Sequence, residues 1–196
     1  MKKFPFGPTW IWLTVTALIQ TAALGDIVVS RQSLLKNGRE IILPVAPVDP
    51  RDLFRGDYVV LGYPITPIKR SDLEDTDSFD WAKKGSSVYV TLQPMPDGTW
   101  KVASVDSPFP SLPGHGNVVL SGRVRHKRGE IGEVDPAIDV AFGIERYFVP
   151  EGTGKALEAK VRDNQIQAIV AVDRDGNAAI KGLIVGGERH EDPLLF

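Results

Sequence analysis

The chain has 196 residues, no cysteine, and a formal charge of −2 with both signs scattered along it. The missing thiols exclude disulfides, thiolate zinc sites and a cysteine nucleophile, and the balanced charge leaves no basic footprint for nucleic acid. High glycine (19) and proline (15) favour many turns and short strands over a helical bundle.

Lys2 and Lys3 open the chain, and the next charge is Asp26. The uncharged run from Phe4 to Gly25 is long enough to cross a hydrocarbon core of about 30 Å. Thr14, Thr16, Gln20 and Thr21 weaken it, while Trp10 and Trp12 sit where an interfacial aromatic belt is expected. A cleaved signal peptide is the rival reading, with Ala23-Leu24-Gly25 as its small-x-small site. The basic flank places the N-terminus in the cytoplasm and the rest of the chain across the membrane. Past Asp26, Ile27, Val28, Leu34 and Leu35 can continue the helix, and Asn37-Gly38 predicts its stop with a left-handed glycine cap. Residues 1–37 are therefore expected to form an anchor helix, and residues 38–196 one compact domain.

The domain reads as mainly β (a β-rich α+β fold) of short antiparallel strands with one short helix. Glu40 to Val45 is a short apolar strand whose proline marks an edge or bulge. Pro47 to Phe54 reads as a turn, since Asp49 can cap and Pro50 suits a first helical position. Asp57 to Tyr63 is rich in β-formers, and residues 67–84 read as an exposed loop. Two hairpins are predicted from their Asp-Gly turns: Ser87–Leu92 with Trp100–Val105, and Ile166–Val172 with Ala178–Ile184. Val118–Val124 and Ile138–Ile144 are further strands, and Thr153–Val161 is the helical pattern. Gly186-Gly187 reads as a simple turn.

Gly56-Asp57-Tyr58-Val59-Val60-Leu61-Gly62-Tyr63 resembles the segment that names the GDYXXLXY family of bacterial proteins, matching all five named positions. Val45 to Arg55 is similar to that family's lead-in, Gly143 to Gly152 to its second block, and Ile180 to Leu183 to its ending. The resemblance covers roughly residues 10 to 185. It implies a protein anchored at the bacterial inner membrane, with its domain in the periplasm or outside, and often encoded beside a multi-spanning membrane protein. It implies no activity and no cofactor.

Two polar clusters stand out. Asp49, Arg51, Asp52, Arg55 and Asp57 lie within nine residues, where aspartates capping a turn are the ordinary use and a ligand or partner site the special one. Tyr58 and Tyr63 are five apart and face opposite sides of a regular strand. Glu145, Arg146 and Tyr147, followed by Glu151, form the second cluster, for which an ion pair closing a strand end is the default. With Arg123, these give the candidate binding residues Asp49, Arg51, Asp52, Asp57, Tyr58, Tyr63, Arg123, Glu145, Arg146 and Glu151. Lys181 reads as a surface lysine. His115, His126 and His190 lack metal-ligand spacing, so no metal and no catalytic residue is assigned. The layout is also reminiscent of type I signal peptidases, but Ile41 to Tyr63 holds no serine, threonine or cysteine to act as nucleophile. The expected function is that of an accessory protein for a multi-spanning membrane protein, with a ligand-binding domain or enzyme of another type as the alternative.

Overall fold

The computed structural model describes residues 9–46, 58–73, 79, 82–110, 114–129, 136–149 and 165–194. The predicted turn at 47–54, the helix at 153–161, and candidate residues Asp49, Arg51, Asp52, Asp57 and Glu151 lie outside these.

The long helix among the described residues, α1 (Thr9–Asn37), carries the uncharged run from Thr9 and continues beyond it. Its apolar residues lie all round the helix rather than on one stripe. Leu13, Leu18, Ile19 and Leu24 are all exposed. The helix is long and apolar enough to cross a membrane. Its last turns touch the described part of the domain: Leu34 is buried against Ala171 and Ala179, and Arg31 donates to the Ala178 carbonyl at 3.1 Å.

The helix ends at Asn37 as predicted, for a different reason. Gly38 is not left-handed. A Cβ at Gly38 would stand 2.5 Å from the Leu34 carbonyl oxygen and 3.1 Å from the Ala171 Cβ. Glycine is required there because helix and sheet approach too closely for a side chain.

Eleven strands follow among the described residues, and every named pairing is antiparallel. One sheet has the order β1 (Arg39–Pro44), β9 (Ile166–Val172), β10 (Ala178–Val185), β11 (Glu188–Glu191). A second has the order β3 (Ile68–Lys69), β7 (Ala137–Ala141), β6 (Val118–Arg128), β4 (Ser87–Pro94), β5 (Trp100–Asp106). A short pair, β2 (Tyr58–Val60) with β8 (Arg146–Phe148), completes the fold. Ile41, Leu43, Val88, Val90, Leu120 and Val170 come from both large sheets and share one buried core. Their alternation along each strand is the period of two that turns one face inward.

Both predicted hairpins form, with Gly98 and Gly176 at positive φ in their turns. Pro44 ends β1 at the edge of its sheet, where a missing N–H donor costs nothing. Two expectations need correction. Where it is described, the segment 67–84 is not simply an exposed loop: Ile68 pairs in β3, and Leu73, Phe79 and Ala82 are buried. The strand predicted over Ile138–Ile144 stops at Ala141, because the backbone turns at Gly143 and the Glu145 carboxylate takes the freed amides. Gly186-Gly187 forms the predicted turn, and a further strand, β11, follows it. Its sequence Glu-Arg-His-Glu is wholly exposed and carries no apolar signal.

The outer face of the four-stranded sheet carries an ionic network. Arg189 reaches Glu40 at 2.7 Å and also pairs with Glu191, while Lys181 lies 3.3 Å from Glu40 and 3.2 Å from Glu191. Lys181 is thus a surface lysine, though on an interior strand. The hydrogen bond from Arg189, then that from Lys181, holds Glu40 below the ordinary carboxylate value; the same two partners lower Glu191.

Candidate functional site

The two polar blocks, some 80 residues apart in sequence, meet in space. Tyr58 opposes Phe148, Val59 opposes Tyr147, and Val60 opposes Arg146. Directly opposed residues of an antiparallel pair share a face. Val59 and Tyr147 therefore turn inward, where Val59 is fully buried and Tyr147 packs against the core. Tyr58, Arg146 and Phe148 turn outward.

Beyond the paired strands, Leu61 N–H donates to the Glu145 carbonyl at 2.9 Å. Tyr63 is buried, and its hydroxyl donates to the Ile144 carbonyl at 2.7 Å. Burial, and then the nearby Glu145 charge, push the Tyr63 phenol well above its usual range. It is a neutral donor that ties one block to the other. Ala46 bridges Gly62, so the end of β1 runs directly into this assembly.

Glu145 is fully engaged. One carboxylate oxygen accepts from Phe142 N–H at 2.5 Å, and the other from Gly143 N–H at 3.2 Å and from Arg125 at 3.3 Å. These contacts fix the turn between β7 and β8. Tyr147 donates to the Asp192 carboxylate at 2.8 Å. Burial and that hydrogen bond raise its phenol too.

The outward face is an aromatic and cationic patch. Tyr58 and Phe148 rings lie 6.1 Å apart at 56°, and the Arg146 guanidinium stands 5.6 Å from the Tyr58 ring centre. Phe148 is 75% exposed, which is unusual for a large apolar side chain ordered within a strand. Tyrosine, arginine and phenylalanine are the residues enriched at the centres of protein interfaces.

The structure therefore brings Tyr58, Tyr63, Glu145 and Arg146 together. Tyr58 is half-buried and Tyr63 is core, as their five-residue separation predicts. Arg123 lies elsewhere, exposed on β6 and donating to the Gly85 carbonyl at 3.2 Å. The arginine that meets Glu145 is Arg125. Both alternate with neighbours in Arg123-Val124-Arg125-His126, and the irregularity in pairing after Val124 sets which of them reaches the turn. No sequence signal separates them.

The model of the GDYXXLXY protein family matches residues 20–183. The chain belongs to the GDYXXLXY family. The described part of the motif that names the family, Tyr58 to Tyr63, is thus one half of the β2–β8 assembly, with Tyr58 on its outer face, Leu61 in the core and Tyr63 as the buried tie. No curated protein and no solved structure matches the chain.

Proposed function

We propose that this GDYXXLXY protein is a membrane-anchored accessory protein of the bacterial inner membrane. Its β-rich domain stands in the periplasm or outside and docks a multi-spanning membrane protein through the Tyr58–Arg146–Phe148 face. The observation that carries this reading is the exposed Phe148 beside Tyr58 and Arg146, on a strand pair built from the family's own motif blocks. The apolar helix supplies the anchor, and its all-round apolar surface fits lipid contact. Glu145 has its carboxylate oxygens satisfied by two amides and Arg125, which suits a structural cap better than a general base.

The test is purification of the tagged full-length chain from detergent-solubilised native membranes, beside Arg146→Glu and Phe148→Ala variants. A stoichiometric multi-spanning protein that co-purifies with the wild type and is lost from both variants supports the reading. A monomeric chain, or a partner retained by both variants, overturns it.

A further inference from the structure

The Tyr58–Arg146–Phe148 face carries a positive charge that nothing described offsets. Glu145, the next residue in the chain, is already spent: it pairs with Arg125 at 3.3 Å and accepts from the Phe142 and Gly143 amides. Asp192 is engaged by the Tyr147 hydroxyl at 2.8 Å. Arg146 is exposed beside the Tyr58 ring, and among the described residues no carboxylate pairs with it. A ring attracts a guanidinium through its charge but gives its N–H donors no oxygen. The planar fork of those donors fits a carboxylate through two parallel hydrogen bonds. A cation already steadied on a ring also gives up less rotamer freedom in making them.

The neighbours of that charge are apolar. Phe148 lies two residues along β8 on the same side, 75% exposed, so the two Cα atoms are about 6.5 Å apart. Tyr58 and Val60 oppose Phe148 and Arg146 and are half-buried. A partner with only an apolar side chain to offer would cover Phe148 and desolvate Arg146 without a counter-charge, which is costly. A partner with only an acid would leave Phe148 in water. The face is matched by both together, at a spacing of about 5–7 Å, which is one turn of a helix or two positions of a strand. The side of the membrane agrees with this. Multi-spanning proteins concentrate Lys and Arg in their cytoplasmic loops, so their loops on the other side hold fewer cations to repel Arg146.

We propose that the segment docked on this face presents an aspartate or glutamate to Arg146 and a large apolar side chain to Phe148. The inference rests on the docking reading above and adds the chemistry of the partner's side.

Carbodiimide coupling, which joins an amine to a carboxylate without a spacer, tests it in native membranes carrying the tagged full-length chain. Arg146→Lys puts an amine at the required place. The expected product is an amide between position 146 and an Asp or Glu of a multi-spanning protein, located by tandem mass spectrometry of the linked peptides. Without coupling, Arg146→Gln should lower recovery of that protein about tenfold, the scale of losing one hydrogen bond to a charged group. Full recovery with Arg146→Gln would overturn the proposal. So would an Arg146→Lys chain linked at position 146 to nothing, or only to a carboxylate of its own. The two failures are distinguishable. If the wild type brings down no multi-spanning protein, the docking reading falls. If it brings down one that Phe148→Ala loses and Arg146→Gln keeps in full, docking stands and the acidic contact alone falls.

Discussion

The Tyr63 hydroxyl donates to the Ile144 carbonyl across 2.7 Å in a site closed to solvent. That single contact joins the end of the family motif to the start of the second block, and it explains why a tyrosine stands where a phenylalanine would fill the same volume. Around it, Leu61 is bonded to Glu145 and the β2–β8 pair is in register.

Tyr63→Phe should keep the packing and leave a buried carbonyl without its donor. The expected cost is about 1–2 kcal/mol, and each kcal/mol lowers Tm by roughly 2–4 °C in a domain of this size. Tyr63→Ala should cost about 3–5 kcal/mol through the cavity it leaves. Thermal unfolding of the two variants checks this, and a Tyr63→Phe variant as stable as wild type would remove the tie.

Gly38→Ala should destabilise the chain by about 1–3 kcal/mol, the range for overpacking. The added Cβ meets the Leu34 carbonyl and Ala171, both backbone-anchored and unable to swing aside. Replacing glycine by alanine at a position with room ordinarily stabilises by about 0.4–1 kcal/mol. Urea denaturation showing a neutral or stabilised variant would therefore contradict the close helix–sheet approach.

The ionic network predicts a pH dependence with a definite sign. Glu40 and Glu191 are held below their ordinary value of 4.5 in the folded chain. Their contribution is fully present above 4.5 and is lost as pH falls through the lowered value. Lys181 is raised above 10.5, chiefly by its hydrogen bond to Glu191. Its contribution is present below 10.5 and fades as pH rises through the raised value. Arg189→Ala should flatten the acid limb of urea midpoints measured from about pH 6 to about pH 3. Parallel profiles for variant and wild type would show that the network is too solvated to matter.

Much of this fold is legible in the sequence because its signals are local. The Asp-Gly turns at Gly98 and Gly176 specify their hairpins, and the alternation of Ile41, Leu43 and Val45 marks the inward face of β1. The family blocks point to the strand pair that carries Tyr58 and Arg146. Signals that depend on distant partners are not legible. Ile68, Leu73, Phe79 and Ala82 are core residues at no regular spacing, so their segment looks like a solvated loop. The partners in the ionic network, Glu40 and Arg189, are 149 residues apart. β11 pairs through its backbone while exposing four polar side chains. Arg125 is distinguished from Arg123 only by an irregularity that the sequence does not announce.

The anchored reading proposed above predicts an uncleaved chain. N-terminal sequencing of the protein recovered from native membranes should find residues that precede Asp26, and deletion of residues 1–25 should release the domain into the soluble fraction. A native chain beginning at Asp26 would make the apolar run a signal peptide.

The central claim is that the Tyr58–Arg146–Phe148 face meets another protein at the membrane. Site-specific photo-crosslinking in living cells tests it most directly, with a photoreactive residue at Phe148 of the full-length chain and a control at exposed Arg128 of β6. The account predicts one dominant adduct from position 148, with a multi-spanning membrane protein, and none from position 128. No adduct from position 148, or the same adducts from both positions, would contradict it.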